Sequence, residues 1–549
     1  MLDPVHDECG IAAVYKFGKV DNEIDPRSPL NGGDNVSQLI PQMLVDLQNR
    51  GQLAAGITSY NPFRQNILYT RKDIGTVSEV FRMTHRAKYD NIMAENVGRA
   101  AIGHVRYATC GQDDATYAQP FECPNGFKWK WFAFGFNGNI ANYLECRSEI
   151  LECDDYHLVH DTDTEIIQHH LFIALEGMVK PDFVDVFKHL AKTFDGAYSI
   201  VLLTADGDLV VARDPHGFRP LCYAVKEGEI FAAASESQPL DSIGFDVEDV
   251  RSVEPGTLLH VTADGVTEHR FAEAPKKSYC FFEWVYFSNA GSVINDRSVY
   301  ASRRSMGEAL AAGESEAIDE NCVVVPVPDT ARAAADAMAA KLRIPIFEGL
   351  LRNRYLGRTF IEGGSRFEKA ARKYKAIPEI LEGKRVFLVE DSIVRSTTLR
   401  VIIEKIRRKA GASEVHVRVA CPPIMAPCSY GIDMSTIAEL FAPKLVEEPI
   451  PDKIPADTLA KLAADLGADS LRYLGIEELA DCIGLPEESL CMGCLTGKYP
   501  TEWGGRLYEL AREDRDREVP EGVVEGGQRT YERLVSPVAG PRRGAAPID

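Results

Sequence analysis

At 549 residues the chain is too long for one hydrophobic core, so we expect about three structural units. A hydrophobic fraction of 45% and a charged fraction of 26% are ordinary for a globular protein, and a net charge of −21 argues against general affinity for nucleic acid or anionic membranes. No apolar run approaches the ~20 residues of a membrane helix, and the start of the chain lacks the basic and apolar stretches of a secretory signal. We therefore predict a cytoplasmic protein with no nucleic-acid or membrane partner.

The first candidate for chemistry is Cys9, which follows a short acidic leader. Removal of residues 1–8 as a propeptide would leave Cys9 with a free α-amine, whose pKa of about 8 lets it accept the thiol proton. Nucleophile and base would then belong to one residue. The alternative is a buried structural cysteine before a strand, which is the usual role of a lone cysteine.

Residues 9–273 have the pattern of a layered α+β domain. Short β-like runs broken by Gly, Asn and Asp predict strands at residues 101–107, 131–136, 198–204 and 208–212. Helical periodicity predicts helices at residues 164–175 and 182–192. We place a domain boundary near residue 273.

Residues 274–500 follow a different pattern, that of an open α/β sheet. Nearly continuous apolar runs predict parallel strands, covered on both faces, at residues 323–327 and 385–389, with helices after them at 331–342 and 399–410. Residues 501–549 turn to mixed charge and then to Gly, Pro and Arg, which predicts one short helix and a partly disordered tail.

A phosphate site is predicted where the strand at residues 385–389 ends. An acidic pair and several hydroxyl residues lie between this strand and the next helix, namely Glu390, Asp391, Ser392, Ser396, Thr397 and Thr398. Ligands of open α/β sheets bind where strands end and helices begin, and a helix N-terminus offers N–H groups to a phosphate. The acidic pair could hold ribose hydroxyls or Mg²⁺. The alternative is a solvated turn followed by an N-cap, although a cap needs only one hydroxyl residue.

This run resembles the phosphoribosyl-pyrophosphate signature of type I phosphoribosyltransferases, and residues 353–361 resemble the flexible loop of one such family, the amidophosphoribosyltransferases. Residues 326–330 resemble the pyrophosphate-side loop of that family. The resemblance implies an α/β type I phosphoribosyltransferase domain that binds 5-phosphoribosyl 1-pyrophosphate (PRPP), with Mg²⁺ at the acidic pair. The implied PRPP-binding residues are Asp329, Thr330, Tyr355, Arg358, Glu390, Asp391, Ser392, Arg395, Ser396, Thr397 and Thr398.

The first domain resembles the N-terminal-nucleophile (Ntn) glutaminase domain of the same family, for which α/β/β/α layers are expected. Cys9 would be the nucleophile. Asn137 and Gly138 would form an oxyanion hole, because a side-chain amide N–H and a backbone N–H can both point at a developing oxyanion. Taken alone, an Asn-Gly pair is more often a hairpin turn. The implied glutamine-binding residues are Arg50, Arg106 and Asp163.

The thirteen cysteines of a chain this long do not suggest a disulfide scaffold. Cys491 and Cys494 form a C-x-x-C pair that could bind zinc, act as a redox pair or do neither, and zinc is the default interpretation. Cys280 and Cys428 match positions of an iron–sulfur subfamily. The resemblance therefore implies a structural [4Fe–4S] cluster on these four cysteines, with Cys421 as a spare thiol nearby that is not a ligand.

The family resemblance implies an amidophosphoribosyltransferase reaction. Glutamine would be hydrolysed at Cys9, and ammonia would pass to C1 of PRPP to give 5-phosphoribosylamine, glutamate and pyrophosphate, the first step of de novo purine biosynthesis. Inhibition by purine nucleotides and a homo-oligomeric state are expected with it. Two alternatives stay open: a diverged paralogue that aminates another phosphoribosyl compound, and a non-enzymatic regulator that senses phosphoribosyl compounds or nucleotides.

Three departures from the family pattern bear on substrate and rate. Glu390 replaces the usual first Asp of the acidic pair. Ser396 replaces a phosphate-loop glycine, and its side chain could crowd the 5′-phosphate or force a changed backbone. Residues 289–291, Asn-Ala-Gly, replace the usual Arg-Pro-Asp. We expect these changes to affect substrate identity and rate more than the fold.

Overall fold

The structure is a computed structural model, and it describes residues 9–18, 23–107, 114–152, 156–160, 162–273, 276–353, 373–432, 434, 436–446, 450–451 and 453–515. Within these ranges, no helix is both long and apolar enough to cross a membrane.

Two antiparallel sheets form the first domain. One has seven described strands, in the spatial order Arg251–Ser252, Cys222–Lys226, Ile230–Ala234, Gly10–Lys16, Ala100–Arg106, Ala54–Tyr60 and Leu68–Ile74. The other has six, in the order Gly265–Arg270, Thr257–Thr262, Leu209–Arg213, Gly196–Thr204, Phe132–Ile140 and Phe121–Cys123.

Helices cover the outer face of each sheet. The first sheet carries Ile40–Asp46, Val77–Val80, Arg86–Glu95 and Gln238–Ser242, and the second carries Tyr143–Leu151, Asp163–Ala174 and Phe183–Thr193. Side chains alternate along a strand, so Ile11 and Ala13 pack between the sheets while Ala12 and Val14 pack under the helices. The expected α/β/β/α layers are therefore confirmed.

The second domain contains a sheet of four parallel strands, in the order Cys322–Pro326, Arg385–Glu390, Glu414–Val419 and Ser470–Tyr473. Its helices are Val299–Ala312, Arg332–Leu342, Pro378–Leu381, Thr397–Glu404, Ala456–Leu466 and Ile476–Ile483. Val386, Phe387, Leu388 and Val389 are all fully buried, which explains why this strand is continuously apolar. The predicted open α/β sheet is confirmed.

Short elements connect the two domains and the end of the chain. Strand Tyr279–Cys280 pairs in parallel with Leu490–Cys491, and the π-helix Glu283–Phe287 follows it. Two further strand pairs are Val293–Ile294 with Arg297–Ser298, and Leu350–Arg352 with Tyr374–Ala376. The remaining helices are Gly493–Thr496 and Glu502–Arg515, a π-helix at Lys405–Lys409, and 3-10 helices at Pro29–Asn31, Val36–Leu39, Ala115–Tyr117, Val247–Asp249, Ile437–Glu439, Ala442–Lys444 and Glu487–Ser489.

Most predicted elements form within a few residues of their predicted bounds. The strand predicted at residues 131–136 is longer, because Asn137 and Gly138 continue it by pairing with Ser199 and Tyr198. The hairpin-turn interpretation of Asn137-Gly138 is therefore wrong. The short helix predicted beyond residue 500 is Glu502–Arg515, and the predicted disordered tail lies outside the described residues.

Candidate active sites

Cys9 immediately precedes the central strand Gly10–Lys16 and lines a cavity of about 30 Å³. Its Sγ lies 3.6 Å from the carbonyl oxygen of Tyr107. Arg106, Gly138 and Asp163 line the same cavity. The structure thus brings four of the predicted glutaminase residues together from four separate segments.

Burial raises the pKa of the Cys9 thiol, and the charge of Arg106 opposes this effect only in part. A thiol with a raised pKa stays protonated near neutral pH, so it needs a base before it can attack. Among the described residues that line the cavity there is no histidine or lysine. The α-amine of a processed Cys9 is the candidate base whose pKa suits this task.

Gly138 has a φ of 150°, in a region that side-chain-bearing residues rarely adopt. A Cβ at this position would lie 1.9 Å from the carbonyl oxygen of Ala197, so the strand pairing itself requires glycine. Asn137 is buried, and its Nδ2 lies 3.5 Å from the Oγ of Ser235. Ser235 Oγ also accepts a hydrogen bond of 3.0 Å from the backbone N–H of Ile11, so this hydroxyl connects the Cys9 strand to Asn137.

Local sequence patterns did not predict the contacts of Ser235 in this site. Its contact with Ile11 joins positions 224 residues apart, and such a separation leaves no spacing signal.

Arg106 and Asp163 present opposite charges to the cavity. Both side chains are buried, and Asp163 is the first residue of a helix whose N-cap is Thr162. Such a pair suits the α-carboxylate and α-ammonium groups of an amino acid, because a guanidinium can bind a carboxylate through two parallel hydrogen bonds.

Arg50 is paired with two carboxylates. Its guanidinium is fully buried, with Nε 2.6 Å from Glu236 and one terminal nitrogen 2.5 Å from Glu283. Glu283 belongs to the π-helix that begins the second domain, so this ion pair joins the domains. Among the described residues that line the cavity, Arg50 is absent. The charge of Arg50 nevertheless acts on Cys9, so the guanidinium lies near the cavity, and its predicted role in glutamine binding stays a prediction.

The predicted PRPP site lies at the carboxyl edge of the parallel sheet. Asp391 follows strand Arg385–Glu390 and accepts hydrogen bonds from the hydroxyl groups of Thr330 and, at 2.7 Å, Ser392. Thr330 follows the neighbouring strand Cys322–Pro326, and the peptide bond between Pro328 and Asp329 is cis. The structure therefore brings the acidic run and the pyrophosphate-side loop together, at the edge where such sheets bind ligands.

Glu390 and Asp391 are adjacent carboxylates that favour a cation. Burial and, to a smaller extent, the charge of Asp391 raise the pKa of Glu390 well above its usual value. Burial also raises the pKa of Asp391, against the hydrogen bonds from Thr330 and Ser392. Mg²⁺ commonly binds one or two carboxylates together with substrate phosphates, so this donor set fits it.

The helix after the acidic run begins at Thr397, and Thr398 follows within it. Ser396 has φ −87° and ψ −8°, a conformation open to residues with a side chain, so this position needs no left-handed backbone. Its side chain makes no capping hydrogen bond, which argues against the simple N-cap interpretation.

Other predicted PRPP residues make protein contacts or lie outside the described part. Arg395 donates at 2.9 Å to Glu439, and Asp329 accepts at 3.0 Å from Arg352. Tyr355 and Arg358 lie outside the described residues.

The Asn-Ala-Gly departure lies at the junction of the two domains. The backbone N–H of Asn289 donates to Glu236 at 2.7 Å, and Ser288 Oγ donates to Glu283 at 2.5 Å. These are the same carboxylates that bind Arg50. The altered segment therefore contacts the interdomain ion pair.

The four predicted cluster cysteines lie close together. Cys280 and Cys491 are register partners in the parallel strand pair, and backbone N–H groups near Cys428 donate to the Cys494 carbonyl. Burial, followed by the charges of Cys428, Cys491 and Cys280, raises the pKa of the Cys494 thiol. Every described cysteine is a free thiol.

No group of three His, Cys, Asp or Glu residues in the described part could hold a metal ion as the side chains stand. Thiolates of a four-iron cluster each bind a different iron atom, so they need not converge on one point. Four neighbouring free thiols, three of them buried and that of Cys428 partly buried, fit such a cluster.

Comparison with known proteins supports the same two domains. A family model of a glutamine amidotransferase domain matches residues 104–242, and one of a phosphoribosyl transferase domain matches residues 304–430. The chain is 39% identical over 502 residues to an amidophosphoribosyltransferase of Methanothermobacter thermautotrophicus, covering 90% of this chain and 95% of the relative. It is 38% identical over 504 residues to an amidophosphoribosyltransferase of Synechocystis sp., covering 91% and 92%.

Among solved structures, the chain is similar to the glutamine phosphoribosylpyrophosphate (PRPP) amidotransferase from B. subtilis complexed with ADP and GMP. The TM-score is 0.74 and the sequence identity 32%, over 90% of this chain and 98% of that chain.

Proposed function

Because this chain belongs to the amidophosphoribosyltransferase family, we propose that Cys9 hydrolyses glutamine and that the ammonia released displaces pyrophosphate from PRPP at the second site. The reaction is that of the family, the first step of purine biosynthesis. The observation that carries the residue assignment is the cavity in which Arg106, Gly138 and Asp163 surround the Cys9 thiol.

In the first half-reaction the Cys9 sulfur attacks the side-chain amide carbon of glutamine. The α-amine, freed by removal of residues 1–8, accepts the thiol proton and passes it to the departing ammonia. The backbone N–H of Gly138 and the side-chain amide of Asn137 stabilise the oxyanion, while Arg106 and Asp163 hold the amino-acid end. Water then cleaves the glutamyl thioester and glutamate leaves.

In the second half-reaction ammonia attacks C1 of PRPP, a C–N bond forms, and the bond to pyrophosphate breaks. Glu390 and Asp391 would hold Mg²⁺, which supplies charge neutralisation for the leaving pyrophosphate. Most ammonia is protonated at neutral pH, so a closed, water-poor path between the sites keeps the reactive form. Tyr355 and Arg358, which lie outside the described residues, are proposed to contact PRPP.

A structural [4Fe–4S] cluster on Cys280, Cys428, Cys491 and Cys494 is part of the same proposal. Four thiolates suit such a cluster, and these residues come from three segments that are distant in sequence. When bound, the cluster would cross-link the end of the chain to the rest of the protein.

Purine nucleotides are proposed as inhibitors, because the similar B. subtilis enzyme was solved with ADP and GMP. A cytoplasmic location and a homo-oligomeric state complete the proposal.

The decisive experiment measures glutamate and pyrophosphate release together, with PRPP, Mg²⁺ and either glutamine or ammonium chloride. Wild-type protein should release both products in equal amounts from glutamine. Cys9→Ala should lose glutamine-dependent release by at least about a thousandfold, as for removal of a covalent nucleophile, and keep the ammonium-dependent reaction.

Release of glutamate without pyrophosphate would instead support the diverged paralogue. Release of neither product would support the non-enzymatic sensor. Intact-mass measurement of active protein tests the propeptide, since full activity with residues 1–8 attached would contradict the α-amine as base.

A further inference from the structure

Asn139 lies one residue beyond Gly138 and reaches into the other domain. Its side chain is buried, and its Nδ2 donates a 2.7 Å hydrogen bond to the carbonyl oxygen of Ser429, 290 residues away. Ser429 follows Cys428 in a segment of irregular backbone, residues 428–431, which we call the 428–431 segment.

Two further contacts fix the same segment against the first domain. The guanidinium of Arg219 donates to the carbonyl oxygen of Tyr430, and the ring of Tyr430 stacks on Phe218 with 4.1 Å between centroids and 20° between planes. These contacts are buried, and they involve both a main-chain carbonyl and a side-chain ring of the segment.

Gly431 brings this segment against the backbone of Gly138. A Cβ on Gly431, whose φ is 113°, would lie 3.3 Å from the carbonyl oxygen of Gly138 and 3.0 Å from Arg219. Gly138 is thus confined on one side by Ala197, in the next strand, and on the other by Gly431.

We propose that Asn139 is a positioning residue of the glutaminase site, which holds the strand carrying Gly138 against the 428–431 segment and so sets the direction of the Gly138 N–H. This inference rests on the proposed role of Gly138 in the oxyanion hole. A donor stabilises the oxyanion only when it is aimed at it, so a small displacement of the strand lowers the rate. The glutaminase site is therefore incomplete without a segment of the phosphoribosyltransferase domain.

The test is Asn139→Ala in the full-length protein, assayed for glutamine hydrolysis. We expect kcat to fall about tenfold, less than the loss of a whole oxyanion donor, with KM changed less than about twofold, because Arg106 and Asp163 still bind glutamine. Release of pyrophosphate driven by ammonium chloride should stay within about twofold, since that reaction bypasses the Gly138 N–H.

Asn142→Ala is the matched control. Asn142 also donates a side-chain amide hydrogen bond, of 2.9 Å and partly buried, but to the Thr193 carbonyl within its own domain. It should leave kcat for glutamine within about twofold of wild type. Urea midpoints of both variants show whether each is folded.

Gly431→Ala tests the same contact from the opposite side, and it serves if Asn139→Ala does not fold. It should also lower kcat for glutamine with KM nearly constant. Unchanged kcat in both variants would overturn the inference, as would an equal loss in Asn142→Ala. Failure of the proposed function would look different, because Cys9→Ala would then retain glutamine hydrolysis.

Discussion

A single buried histidine connects the two sheets behind the Cys9 cavity. His104 lies in strand Ala100–Arg106, fully buried, with Nε2 3.1 Å from the carbonyl oxygen of Phe136 in the facing sheet. A carbonyl oxygen only accepts, so Nε2 carries the proton. Burial lowers the pKa of His104 from 6.5 to about 3, and the ring is therefore neutral in the folded protein.

This burial predicts acid sensitivity. The unfolded chain binds a proton at His104 below about pH 6.5 while the folded protein does not, so stability falls as the pH drops from 6.5 towards 3. Between pH 7 and pH 5.5 the contribution is about 1.3 kcal/mol. His104→Gln, which keeps a donor but cannot titrate, should remove this part of the loss in urea unfolding at the two pH values. Equal slopes for wild type and His104→Gln would contradict the prediction.

At the scale of elements, hydrophobic periodicity predicted individual strands and helices, because these depend on residues that are close together in the chain. The apolar run at residues 385–389 is a buried parallel strand, and the helix predicted at 182–192 is Phe183–Thr193. Periodicity could not predict that Arg50 binds Glu236 and Glu283. The Arg50–Glu283 contact joins residues 233 positions apart, and the π-helix that carries Glu283 has no pattern of its own.

The π-helix Glu283–Phe287 is expected to stabilise the junction of the domains through Glu283. Its carboxylate lies 2.5 Å from Arg50 and 3.8 Å from Arg219, and all three side chains are buried. Glu283→Gln leaves these guanidinium groups with less opposing charge, so we expect a loss of about 3 kcal/mol in the free energy of unfolding. Urea unfolding followed by tryptophan fluorescence measures it.

Glu254→Gln is the control for this element. Glu254 pairs with Lys277 at 2.9 Å, but both side chains are about half exposed, so the loss should stay below about 1 kcal/mol. Equal losses in the two variants would show that burial of the Glu283 pair does not matter.

At the scale of the whole molecule, the four proposed cluster cysteines lie close together although their segments are distant along the chain. Cys280 begins the second domain, Cys428 begins the segment that contacts Asn139, and Cys491 pairs its strand with the strand of Cys280. Their grouping was predicted only through the family resemblance, because spacing alone identifies no more than the C-x-x-C pair.

The iron content of two cysteine variants distinguishes the proposed cluster ligands from the neighbouring Cys421. Cys494→Ser, purified without oxygen, should lose most of its iron, its broad visible absorbance and some thermal stability, because one of four thiolates is missing. Cys421→Ser should keep its iron, although Cys421 is also buried and close enough for its charge to act on Cys494. Iron loss in Cys421→Ser with retention in Cys494→Ser would move the cluster to other ligands. If the wild type contained zinc in place of iron, the iron–sulfur assignment would be wrong. The four cysteines would still be a metal site, since zinc also binds four thiolates.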